Sequence, residues 1–144
     1  MHAIDTSVTV AAPPDTVWAV LVDFAEYPEW NPVIRRAAGR AEVGTGLTLT
    51  IAPPGGRGSV HRPTVTAVEP GRRLAWLDTF RTPSLLAARQ EFVLAPVDGG
   101  TLVQHRETFT GLLVPLLRGT LRRTEEGIHA LNRALRERAE AVTR

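Results

Sequence analysis

The sequence predicts an α+β fold in which an antiparallel sheet is covered by one long C-terminal helix. Three observations carry that expectation. Residues 4–10 alternate, with Ile4, Thr6, Val8 and Val10 facing one way and Asp5, Ser7 and Thr9 the other. Between residues 34 and 109, short apolar stretches are separated by Gly- and Pro-rich turns. From residue 115 to 142 no further proline follows Pro115, and Leu117, Leu121, Thr124, Ile128, Leu131, Leu135 and Val142 recur at three- and four-residue steps. A helix with one apolar stripe must bury it, and a one-sided sheet is the natural partner.

The elements come in a clear order. The first strand ends at "AAPPD", where Pro14 suits a first helical turn. Val17, Leu21 and Phe24 then recur at helical spacing, with Trp18 beside them. In "DFAEYPEWNP", Pro28 and Pro32 limit the second helix to a turn or two. Two short helices are therefore expected between the first and second strands. Six strands come next, at 34–41, 47–51, 60–69, 74–80, 89–95 and 101–109. The turns between them include "VGTG", the loop "APPGGRG", "EPGR", the loop "RTPSLL" and the hairpin signal "PVDGG". In a simple meander, alternate connections lie at one end of the sheet. That count groups "VGTG", "EPGR" and "VDGG" at one end. It places the helix pair, "APPGGRG", "RTPSLL" and "TGLLVP" at the other. Gly119 and Gly127 locally weaken the last helix.

Composition excludes several classes. At 144 residues, with 43% apolar and 22% charged residues, the chain reads as one globular domain spanning 1–144. The pI of about 10.3 suggests nucleic acid, but 17 basic residues face 15 acidic ones. Every basic residue is Arg, which does not titrate below about pH 12, so a small excess survives to high pH. No basic block marks a nucleic-acid site. There is no Cys, hence no thiol nucleophile, disulfide or Cys-based zinc site. The segment "MHAIDTSVTV" has neither a basic nor an apolar leader region, and no run is long enough for an integral membrane segment. A soluble, cytoplasmic monomer or homodimer is the expectation. His2, His61, His105 and His129 fall in no metal-ligand spacing, "PPGGRGS" lacks a following Gly-Lys-Ser/Thr, and no Gly-x-Ser-x-Gly elbow is present. No metal and no cofactor are expected.

The order of elements, with "SVTVAAPPDTVWAVLVDFAEYPEWNP", "VTAVEPGRRLAW" and "DGGTLVQHRETFTGLL", resembles the START/birch-allergen-like helix-grip superfamily, often called SRPBCC proteins. The polyketide cyclase/dehydrase and lipid-transport group is the nearest likeness, and it covers nearly the whole chain. The resemblance implies a curved seven-stranded antiparallel sheet wrapped around the C-terminal helix, with a deep apolar cavity between them. It implies little about activity, since such proteins include cyclases, aromatases, hydrolases and carriers.

Strand alternation assigns the candidate site. If Leu94 pairs with Val103, then Phe92 opposes His105 and Gln90 opposes Glu107. Val103, His105, Glu107 and Phe109 share a face, and the two apolar members turn it inward. His105 and Glu107 then become the candidate catalytic acid/base pair in an apolar wall, the competing reading being structural polar groups near the mouth, solvated or paired with Arg residues; Arg106 points outward. Trp76 and Asp78 are in phase with each other and join as candidate ligand-binding residues. The face of His61 is not assigned. Arg81 and Arg89 are candidates for binding a carboxylate or phenolate, with exposed surface charge the competing reading. Tyr27, Trp30, Phe92, Phe109 and Leu113 complete the ligand-binding set, the first two from the aromatic cluster and Leu113 from the apolar loops. Those loops carry Leu85, Leu86, Leu112, Leu113 and Val114 and are read as a cavity mouth, with packing against the helix end as the alternative. For Tyr27 and Trp30 the alternative is to seal the core.

Two functions remain open. One is an enzyme, a cyclase, aromatase or dehydratase without cofactor, acting on a polyketide-like or other hydrophobic carbonyl compound. The other is a non-catalytic carrier or sensor of a lipid, quinone or other apolar metabolite. Both take a hydrophobic small-molecule ligand as partner. A protein-interaction role for the apolar loops is a third, weaker reading.

Overall fold

The structure is a computed structural model that describes residues 1–52 and 56–143. The middle of the expected loop "APPGGRG", residues 53–55, lies outside the described residues. Among those described there are eight strands and three α-helices. Strand β1 is His2–Val10. Helix α1, Pro14–Val22, is next; then a single 3-10 turn, Phe24–Glu26; then α2, Tyr27–Trp30. Strands β2 (Ile34–Ala38), β3 (Thr48–Ile51) and β4 (Ser59–His61) form one antiparallel sheet in that order. Strands β5 (Thr64–Glu69), β6 (Arg73–Phe80), β7 (Leu86–Val97) and β8 (Gly100–Thr110) form the other, in the order β1-β8-β7-β6-β5. A 3-10 turn, Val114–Leu116, leads into α3, Arg118–Thr143.

The α+β antiparallel class and the long C-terminal helix are therefore as expected. The expected strand 60–69 is broken in two. Pro63 has no N–H to give a ladder, and the chain changes sheet there: β4 pairs with β3, and β5 pairs with β6. The hairpin register is the expected one, with Leu94 opposite Val103, Phe92 opposite His105 and Gln90 opposite Glu107.

The meander count fails for the helix pair. It requires β1 to run parallel to the last strand, but β1 pairs antiparallel with β8, so Val10 lies beside Thr101. The crossover through α1 and α2 does not reverse the chain as a hairpin would. The helix pair therefore starts at the "VDGG" end, away from the apolar loops. Gly100 is required there: a Cβ at this position would overlap the Val10 carbonyl. Asp15 in α1 likewise neighbours Gly71 of "EPGR".

The core has two parts. The larger joins Val17, Leu21, Phe24 and Tyr27 of the helix pair to Leu94 and Val103 of the sheet and to Leu131, Leu135 and Ala139 of α3. Tyr27 belongs here. Its hydroxyl donates to the Leu21 carbonyl at 2.6 Å, and its ring meets Phe24 and Trp30 edge-on. Asn31 precedes Pro32 in extended backbone, which ends α2. Its Oδ1 then accepts the N–H groups of Val33 and Ile34, at 3.0 and 2.8 Å, and turns the chain into β2. The smaller part, Ile4, Phe109, Val114, Leu121 and Ile128, holds the N-terminal half of α3 against the sheet. No helix among the described residues is long and apolar enough to cross a membrane.

Candidate functional site

The two core parts do not meet everywhere. Between the N-terminal half of α3 and the two sheets lies a cavity of about 710 Å³, within the range of small-molecule sites. Leu121, Ile128 and Leu131 form its helix side. Trp76, Ala88 and Phe109 form its floor on β6, β7 and β8. Leu49 and Ile51 form the wall on β3. Val60 and Phe80 line the cavity yet are 55% and 53% exposed, which marks its opening.

Polar groups interrupt this lining at a few places. Glu107 enters from β8, opposite Gln90 of β7, which is opposite Trp76 of β6. Asp78 lies two residues along from Trp76 on the same face. His61 faces it from β4, with Nδ1 2.6 Å from Asp78 Oδ2. Ser59 is on the same face of β4 as His61, and its hydroxyl is 2.8 Å from His61 Nε2. Among the described residues, the Glu107 carboxyl has neither hydrogen bond nor ion pair. Burial pushes it up to about 7; His61 opposes this when it carries a proton, and the Asp78 carboxylate reinforces it. A carboxyl at that value exchanges protons readily near neutral pH.

His105 sits behind this wall and does not line the cavity. It is wholly enclosed. Its Nδ1–H donates to Asn132 Oδ1 at 2.8 Å, and Nε2 accepts from the Gln90 amide at 2.8 Å. Asn132 in turn donates to Thr6 Oγ1, which donates to the His105 carbonyl. The ring stacks on Phe92 at 4.1 Å between centroids. Burial drives its pKa down to about 4, against the raising effect of the Asn132 bond and with a further lowering from His129. The imidazole is therefore neutral near pH 7, with both nitrogens engaged.

Trp76, Asp78, Glu107 and Phe109 are thus brought together at the cavity, whereas His105, Tyr27, Trp30, Phe92 and Leu113 are not. Phe92 is covered by Trp76 on one side and His105 on the other. Trp30 borders a separate, shallower cleft of about 390 Å³ with Asp15, Asp23 and Arg138. Tyr27 and Trp30 miss the cavity because the helix pair caps the C-terminal half of α3. Leu113 is half-buried in the turn beyond β8. Arg89 lies on the outer face, 3.4 Å from Glu91, and Arg106 also faces outward, 3.8 Å from Asp5. Sequence reasoning missed Ser59, Gln90 and the arginines Arg57 and Arg62 as lining residues. The i, i+2 spacing of Ser59 and His61 was a usable signal, but the break at Pro63 hid the face of that strand.

A family described as "Polyketide cyclase / dehydrase and lipid transport" matches residues 1–143. The chain belongs to this family. Solved structures show the same fold. A START superfamily protein from Mycobacterium smegmatis is 22% identical, with 99% of each chain covered and a TM-score of 0.77. The Zhui aromatase/cyclase from a Streptomyces species is 21% identical over 99% of this chain and 96% of that one, also with a TM-score of 0.77. The di-domain aromatase/cyclase StfQ of the steffimycin biosynthetic pathway is 17% identical, covers 95% of this chain and 51% of its own, and has a TM-score of 0.67. No curated protein matches the chain in sequence. The family supports a ligand-binding helix-grip fold.

Proposed function

We propose that this member of the family binds a hydrophobic carbonyl compound in the cavity and catalyses proton transfer on it, as a cyclase, aromatase or dehydratase does. The observation that carries this reading is the Glu107 carboxyl, standing free among the described residues in an apolar cavity with its pKa near 7. As carboxylate it removes a proton next to a carbonyl. As carboxylic acid it returns that proton to a departing hydroxyl, which leaves as water. Trp76 and Phe109 offer flat apolar surfaces that hold the folded substrate in place. Arg57 and Arg62, also on the lining, supply positive charge for a developing enolate. His105 enters this reading as a positioning residue: it holds the Gln90 amide beside Glu107.

The test uses a poly-β-carbonyl thioester surrogate and Glu107→Gln. The expected result is a fall in kcat of about 100-fold or more with little change in substrate affinity. Binding that persists with no turnover by the wild-type protein favours the carrier reading, in which the same cavity only sequesters its ligand.

A further inference from the structure

The acid/base reading leaves one side-chain cluster of the cavity unused. Ser59 donates its hydroxyl to His61 Nε2 at 2.8 Å, and His61 donates Nδ1–H to Asp78 Oδ2 at 2.6 Å. We propose that Ser59, His61 and Asp78 form a nucleophilic relay that cleaves esters or thioesters of apolar acids bound in the cavity.

Three features carry this. The hydrogen bonds run in the sense that activates a hydroxyl: nucleophile to base, base to an orienting carboxylate. All three residues line the cavity, so an acyl chain lying among Ile51, Trp76 and Phe109 presents its carbonyl to them. The relay is also built across the fold. Ser59 and His61 share one face of the edge strand β4, while Asp78 comes from β6 in the other sheet. The break at Pro63 separates the two sheets and brings His61 opposite Asp78.

The step balances with water as co-reactant. Ser59 Oγ attacks the carbonyl carbon while its proton passes to His61 Nε2, which leaves an imidazolium beside the Asp78 carboxylate. Positive charge for the tetrahedral oxyanion would come from Arg57 or Arg62 on the lining. The bond from carbon to the leaving oxygen or sulfur breaks, and His61 protonates the departing alkoxide or thiolate. Water then attacks the acyl-serine, its proton passing to His61 and from there to Oγ. The carboxylic acid is released and the hydroxyl restored. This chemistry shares the cavity with the acid/base reading but not its reacting residue.

The experiment treats the full chain with an alkyl fluorophosphonate and maps the adduct by mass spectrometry. Hydrolysis of p-nitrophenyl octanoate and of the octanoyl thioester of N-acetylcysteamine is measured in parallel. One adduct on the peptide bearing Ser59 is expected, as is a loss of at least about 100-fold in hydrolysis on Ser59→Ala. Ser59 is exposed, so the variant should keep the wild-type circular dichroism and thermal midpoint. Asp78→Asn should slow acylation while leaving Ser59 in place. The absence of an adduct on Ser59, or wild-type hydrolysis by Ser59→Ala, overturns the relay. Binding of anilinonaphthalene sulfonate separates the two readings. If the dye binds and Ser59 stays unlabelled, the relay fails and the cavity stands. If neither occurs, the cavity reading fails as well.

Discussion

Gln90 reaches back from the cavity wall to His105, its amide nitrogen 2.8 Å from Nε2. That bond ties a residue in contact with ligand space to a polar network inside the core. The far end of the network is Asn132 on α3. A buried polar network is stable only when every member is satisfied, and removing one leaves the others uncompensated.

Asn132→Leu should therefore destabilise the fold by about 1–3 kcal/mol, because His105 Nδ1–H loses its acceptor and Thr6 its donor. Urea denaturation at pH 7 measures it. Binding of an apolar dye in the cavity should be unchanged, since Asn132 lies outside the lining. A variant as stable as the wild type would show that the network contributes nothing.

His105 and Glu107 should make stability depend on pH in opposite senses. The unfolded chain protonates His105 near its ordinary 6.5, the folded chain only near 4. This contribution is complete above pH 6.5 and is lost as pH falls toward 4. The unfolded chain ionises Glu107 near its ordinary 4.5, the folded chain near 7. That contribution is complete below pH 4.5 and is lost as pH rises through 7. Between pH 4.5 and 6.5 the two offset each other. Glu107→Gln removes one of them, so its unfolding free energy should climb relative to wild type across pH 4.5–7, by up to roughly 3 kcal/mol. Water in the cavity lowers that figure. A difference constant with pH contradicts the raised carboxyl.

Tyr27→Phe should cost about 1 kcal/mol, the worth of one hydrogen bond to the Leu21 carbonyl. Burial pushes the phenol above its ordinary value, so it stays protonated in the folded state. Ligand affinity should not change. A loss of affinity without a loss of stability would return Tyr27 to the ligand site.

Gly127 lies on the cavity face of α3 between Thr124 and Leu131. Gly127→Leu should raise helix propensity by up to about 1 kcal/mol and fill part of the cavity. The expected result is a fall of at least about tenfold in affinity for a ligand that spans the cavity, read by calorimetry. The thermal midpoint should hold or rise.

Much of the fold was legible because its signals are local. Alternation in β1 and β8, the helical spacing of the last segment and the turn residues of "EPGR" and "VDGG" each act within a few residues. The hairpin register came from one turn, and with it the inward face of β8. Glu107, Trp76, Asp78 and Phe109 were therefore within reach of the sequence. The site was harder where position depends on distant packing. His105 and Glu107 share a strand face and look equivalent in sequence. Asn132, 27 residues away, helps to enclose His105 and leaves Glu107 at the cavity. Tyr27 and Trp30 go with the helix pair, whose place turns on the antiparallel pairing of β1 with β8.

By itself, then, the sequence determined the class of fold, the covering helix and the inward strand faces, because side-chain periodicity and turn chemistry are properties of short segments. The tertiary structure decided which polar groups meet. The break at Pro63 sets His61 against Asp78, and the curvature of two sheets around α3 leaves Glu107 facing a cavity while His105 is sealed behind it. Hydrogen-bond partners and desolvation depend on atoms brought together from far apart in the chain, and no local pattern encodes them.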